Sequence, residues 1–88
     1  MGKEKRLETL RGHIEDISHD IITLIEYRTR MAKKIGEIKK DLALPAYNPE
    51  REQLLLTRLQ TRSTLPPQLV EDIFTLIFGS SVKIQADK

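Results

Sequence analysis

Arg28 stands where an aliphatic side chain is expected. With Leu7 taken as heptad position a, the a series runs Leu7, Ile14, Ile21, Arg28, Ile35, Leu42, and the d series Leu10, Ile17, Leu24, Met31, Ile38. Every other member of this seam is aliphatic or Met, a pattern that predicts a helix packed along its whole length. One inward guanidinium is expensive unless an anion meets it. Lys39 follows three turns later, within ~20° of the same face and ~16 Å along the axis. Two long cationic side chains leaning together leave a gap suited to a molecule with one or two carboxylates. The pattern supports equally well a plainer reading: Arg28 specifies register in a coiled coil and Lys39 is a solvated surface residue.

Other polar residues fall on faces that should be apolar. Arg11 flanks the seam ~25 Å from Arg28 and ~42 Å from Lys39 on the same helix, too far to share a small ligand within one chain. Glu52 shares a face with Leu55, Leu56 and Leu59; taken alone it is a first-turn acid favoured by the helix dipole. Ser81 and Gln85 continue the stripe begun by Phe74 and Phe78, although a frayed helix end accounts for them too. Taken together, three cations, one acid and two neutral hydrogen-bonding groups lie on core-facing surfaces. Nothing resembles a nucleophile with its base, a glycine-rich phosphate loop or a metal cluster. His13 and His19 are ~240° apart around a helix, so they cannot jointly hold a metal and read as surface residues.

Three helices should position these groups. Met1 to Lys5 read as a frayed lead-in. The first helix is predicted over residues 6–41, with Gly12 and Gly36 each costing about 1 kcal/mol relative to Ala. At 1.5 Å per residue it would span ~54 Å. A compact chain of this size has a radius of gyration of only ~12 Å. The rest of the chain cannot cover such a helix, so a second copy should bury its seam, most simply antiparallel about a two-fold axis. In a pair centred near residue 23 or 24, Arg11 of the partner falls beside residue 36, between Arg28 and Lys39. Each of two equivalent sites then gains a third cation. Pro45 ends the first helix. Asn48-Pro49-Glu50 starts the second, with Asn48 as cap, and it should run to about Thr61. After a connection at 62–65 capped by Ser63 or Thr64, Pro66-Pro67 opens a third helix reaching about Gln85. Its apolar positions include Leu69, Val70, Ile73, Phe74, Ile77, Phe78 and Val82. The fold class is all-α, one domain over residues 1–88, in an intertwined antiparallel homodimer.

Composition narrows the function. At 88 residues, with 39% hydrophobic and 32% charged, the chain is one small domain that would be marginal as a monomer. A net charge of +2 and four aromatic residues (two Phe, two Tyr) do not make a nucleic-acid-binding face. They do suit a small anion. There is no cysteine, which fits a reducing cytoplasm. No apolar run approaches a membrane span, and the charged start lacks a signal-peptide core.

The residues, in order, resemble the all-helical chorismate mutase family over essentially the whole chain. The resemblance is carried by Leu10-Arg11 with Ile14 and Ile17, then Leu24-Ile25-Glu26-Tyr27-Arg28, Met31-Ala32, Ile35-Gly36 and Lys39. It continues through Asn48-Pro49-Glu50-Arg51-Glu52 to Ile73-Phe74, Ser81 and Gln85. The family implies a dimer of interlocked long helices with two active sites, and conversion of chorismate to prephenate on the route to phenylalanine and tyrosine. It implies that Arg28 and the partner's Arg11 grip the two substrate carboxylates. Lys39 and Gln85 would donate to the ether oxygen, with Lys39 also reaching a carboxylate, and Glu52 would take the ring hydroxyl. Asn48 and Ser81 would complete the ring and carboxylate contacts, with Arg51 supporting Glu52. Position 48 is Asn where some relatives have Asp, and the second connection is shorter than in many. No cofactor and no metal is implied. Association with another aromatic-pathway enzyme is compatible, since related modules occur fused to such enzymes.

A Claisen rearrangement explains that set of groups, because it needs no nucleophile, base or cofactor. The protein must hold the side chain folded over the ring and stabilise charge growing on the ether oxygen. The nearest alternative, an isochorismate–pyruvate lyase, shares fold and cations but lacks the acid matching Glu52. A non-catalytic helical dimer would explain the seam and leave Arg28, Glu52 and Gln85 as unrelated accidents.

Overall fold

The helix predicted from residue 6 begins earlier. In the computed structural model, which describes residues 2–86, α1 spans Gly2–Asp41, α2 spans Pro49–Arg62 and α3 spans Pro67–Ala86. The start at Gly2 corrects the expected frayed lead-in. Lys3, Glu4 and Lys5 are good helix formers, and Glu4 lies in the first turn, where a negative charge meets the positive end of the helix dipole.

Contacts divide the chain into two units, one ending at Arg30 and the other starting at Met31. In the first unit the described residues are all α1. Its seam residues Leu7, Leu10, Ile14, Ile17, Ile21 and Leu24 are each 48–68% exposed. The second unit holds the end of α1 with α2 and α3. Its core is Leu56, Val70 and Phe78, flanked by Leu55, Leu59 and Phe74, so the inward face expected of α2 is present. Phe74 and Phe78 meet with ring centroids 5.7 Å apart at a tilt of 55°, a favourable aromatic geometry. Leu69 and Ile73, two of the apolar positions of α3, are exposed. At 100° per residue they are turned about 100° (Ile73) and 140° (Leu69) from the centre of the Val70–Phe74–Phe78 stripe, on a flank that is left exposed.

The helix ends follow from local chemistry. α1 closes with the N–H of Leu44 donating to the Lys39 carbonyl (2.8 Å) and that of Ala43 to the Lys40 carbonyl (3.1 Å). This is the bond pair of a Schellman cap, and its left-handed residue is Ala43, at φ 55°. An L-residue there is strained by about 1–2 kcal/mol. Glycine would relieve that strain but lose about 0.4–1 kcal/mol more chain entropy on folding. Ala43→Gly is therefore expected to raise stability by about 0.5–1 kcal/mol, read as a higher urea midpoint at unchanged slope.

Asn48 caps α2 as expected: its side chain accepts from the Arg51 N–H at 3.1 Å, with Pro49 in the first turn. The expected N-cap of α3 is corrected. Ser63 closes α2 instead, its N–H donating to the Leu59 and Gln60 carbonyls and its hydroxyl accepting from the Leu65 N–H at 2.9 Å. The Pro66 carbonyl takes the first α3 bonds, from Leu69 at 3.0 Å and Val70 at 3.3 Å.

Candidate active site

Lys39 is not a solvated surface lysine. It lies half-buried in the last turn of α1, where a cation complements the negative helix end. The Schellman cap turns the chain back, and the Ala46 carbonyl accepts from Lys39 Nζ at 2.9 Å. From α3, Gln85 Oε1 accepts from the same nitrogen at 2.6 Å. An ammonium has three donors and no acceptor, so the amide oxygen of Gln85 must face it and the amide nitrogen points elsewhere. One Lys39 N–H and the Gln85 Nε2 donors then remain for a ligand. Two groups 46 residues apart in sequence thus form one donor pair.

Glu52 lies half-buried in the first turn of α2. It lines a cavity of about 550 Å³ whose walls include Tyr47, Leu56, Phe78 and Val82. Gln53, Glu71, Thr75 and Lys83 also line it, and Lys39, Ser81 and Gln85 are not among its lining residues, so Glu52 and the Lys39–Gln85 pair are not brought into one cavity. Ser81 is buried on α3, and its hydroxyl donates to the Ile77 carbonyl at 3.0 Å. Asn48 Oδ1 is engaged as the α2 cap, and the Arg51 side chain is exposed.

The two remaining cations belong to the first unit. Arg28 is half-buried. Arg11 is exposed and paired with Glu8 at 3.1 Å, three residues back on the same helix. Exposed pairs of this kind are worth about 0–1 kcal/mol, so Glu8 does not hold Arg11 against a doubly charged ligand.

Sequence reasoning did not assign the Ala46 carbonyl to the site. A backbone carbonyl leaves no signal in residue type. Among the described residues no group of three or more His, Cys, Asp or Glu gathers to hold a metal, and no helix is long and apolar enough to cross a membrane.

Three helices with no strand among the described residues, and an ammonium–amide pair set between two of them, define an all-helical domain of one recognisable type. The fold matches the structure of chorismate mutase (Form II) from Thermus thermophilus with a TM-score of 0.87 and 28% identity, covering 94% of this chain and 99% of that one. A T-protein of Enterobacter agglomerans is 32% identical over 85 residues, 93% of this chain and 23% of that protein. A bifunctional chorismate mutase/prephenate dehydratase of Aquifex aeolicus is 38% identical over 55 residues, 62% of this chain and 15% of that protein. The chain therefore spans less than a quarter of the length of these two relatives. The sequence profile of the chorismate mutase type II family matches residues 10–86, and the chain belongs to that family.

Proposed function

We propose that this chain, as a single domain, converts chorismate to prephenate, and that two copies assemble to do so. The observation that carries the reading is the Lys39–Gln85 donor pair, 2.6 Å apart and drawn from the ends of two helices. In the rearrangement one carbon–carbon bond forms as the ether carbon–oxygen bond breaks, with all electrons moving inside one molecule. Negative charge grows on the ether oxygen only as that bond breaks. Donors fixed beforehand at that point stabilise the transition state selectively, at about 3 kcal/mol each.

The remaining residues take the roles their chemistry suits. Arg28 and Arg11 of the partner subunit bind the two carboxylates and hold the side chain over the ring. Glu52 accepts the ring hydroxyl. Asn48 and Ser81 add polar contacts to the ring and a carboxylate, and Arg51 supports Glu52. The second copy is supported by the exposed aliphatic seam of α1, a continuous apolar surface of the kind that marks an association face. Association with a further enzyme of aromatic biosynthesis draws support from the Aquifex relative, in whose name mutase and dehydratase are joined. A cysteine-free composition fits a reducing cytoplasm.

The test is to add chorismate to the purified chain and follow loss of its absorbance together with prephenate formed. Stoichiometric conversion supports the proposal; unchanged chorismate, or release of pyruvate, rejects it. Gln85→Glu probes the ether-oxygen donor separately. An amide donates at any pH, whereas the introduced carboxyl donates only when protonated. Activity of the variant is therefore expected to rise as pH falls and to be lost toward neutrality, while the parent chain stays active at neutral and mildly alkaline pH. Superimposable pH–kcat profiles would remove Gln85 from this role.

A further inference from the structure

Gly36 lies inside α1, where glycine is worth about 1 kcal/mol less than alanine to the helix. It is also buried, with Ala32 one turn before it. A Cβ placed on Gly36 would stand 2.7 Å from Gln85 Cα, 3.0 Å from the Gln85 carbonyl oxygen and 3.2 Å from Gln85 Cβ. All three atoms belong to one residue, and the nearest two are backbone, which cannot swing aside as a flexible side chain would. Gly12, elsewhere on the same helix, has only open space where its Cβ would go. One turn after Gly36, Lys39 Nζ holds the tip of the same Gln85 at 2.6 Å. α1 therefore meets Gln85 twice, at its backbone through Gly36 and at its amide through Lys39. Gln85 is the penultimate residue of α3, where a helix end ordinarily frays.

We propose that Gly36 is a positioning residue for the reaction. Its missing side chain seats the Gln85 backbone directly against α1 and so fixes the direction of the Gln85 amide beside the Lys39 ammonium. The inference rests on the reading of Gln85 as a donor to the ether oxygen. Alanine at 36 would strengthen the helix locally but force the end of α3 outward, carrying the amide with it. A misplacement near 1 Å at a reacting group is worth up to about 10²-fold in rate.

The test is a double-mutant cycle with kcat and KM measured separately. In the parent chain Gly36→Ala is expected to lower kcat by about ten- to a hundredfold and to move KM by less than about twofold, since the donor acts on charge present only in the transition state. In a Gln85→Ala chain the same substitution is expected to change kcat by less than about twofold, because no amide is left to misplace. Equal losses in both backgrounds, a loss carried by KM, or no loss in the parent chain would each overturn the proposal. Gln85→Ala alone tests the underlying reading: full activity there removes the donor role and the positioning role with it. An impaired Gln85→Ala chain with an additive Gly36→Ala removes only the positioning role. A second measurement needs no variant to fold. In the parent protein the Gln85 amide is expected to exchange its hydrogen within about tenfold of the Phe78 amide, despite lying at a helix end. Exchange faster by several orders of magnitude would show a frayed, unseated terminus and overturn the proposal.

Discussion

Lys39→Ala is expected to lower kcat by about 10³-fold while leaving helicity intact, a loss of roughly 4 kcal/mol in barrier height. The size follows from what the ammonium holds. It ties the Ala46 carbonyl at 2.9 Å and the Gln85 amide at 2.6 Å, and it has one donor left for substrate. Removing it takes away one transition-state donor, worth about 10²–10³ by itself. It also releases Gln85 Oε1, so the second donor loses its fixed direction. The two losses should not be additive, since both act through one pair. Lys39→Arg is expected to recover less than about a tenth of the activity. A guanidinium is planar and bulkier than the compact ammonium that these two oxygens hold, and the exchange is not conservative at such a site. Steady-state kinetics with circular dichroism on the same preparations would check both. A Lys39→Ala enzyme within tenfold of the parent would show that the ammonium is structural.

Arg28→Leu is expected to reduce kcat/KM by about 10³-fold without lowering the melting temperature. In the proposed role two charge-assisted hydrogen bonds to a carboxylate would disappear, each worth about 1.5–3 kcal/mol. Leu at a seam position meanwhile continues the apolar series on either side of it. Arg28 is only half-buried, so solvent screens whatever its charge contributes to the fold. Activity and stability should therefore move independently. Arg11→Ala should cost activity comparably, and its exposed pair with Glu8 should contribute almost nothing to stability. A chain that loses both activity and fold with Arg28→Leu would make Arg28 structural.

Much of this architecture could be read from residue types because it depends on local rules. Asn48-Pro49 specified a helix start by capping chemistry and fixed φ, and Asn48 does cap α2. The spacing of Leu55, Leu56 and Leu59 specified a buried face, and those residues pack on Phe78 and Val70. The stripe from Phe74 to Gln85 put Ser81 and Gln85 on the covered side of α3, where they are buried and half-buried. Readings failed where tertiary geometry decides. Ser63 has the chemistry of an N-cap, but its hydroxyl turns toward the Leu65 N–H in the connection, and it is the Pro66 carbonyl, just before α3, that takes the first helical bonds. Gly36 read as a penalty to its helix and as one residue of the family resemblance, with no role of its own, because a close backbone approach 49 positions away is written in neither residue. Arg11 and Arg28 carried a signal as cations along an apolar seam, while their meeting across two copies is a proposal that residue type does not decide.

The most direct measurement is therefore a mixing experiment. Arg11→Ala and Arg28→Ala chains are purified separately, confirmed inactive, unfolded together in equal amounts and refolded. If each site takes Arg28 from one copy and Arg11 from the other, half the dimers formed are mixed. Each mixed dimer then holds one intact site of two, so activity should return to about a quarter of the parent value. Activity that stays at the level of the separate variants would mean that the two arginines do not meet across a two-fold axis, and the shared-site account would be wrong.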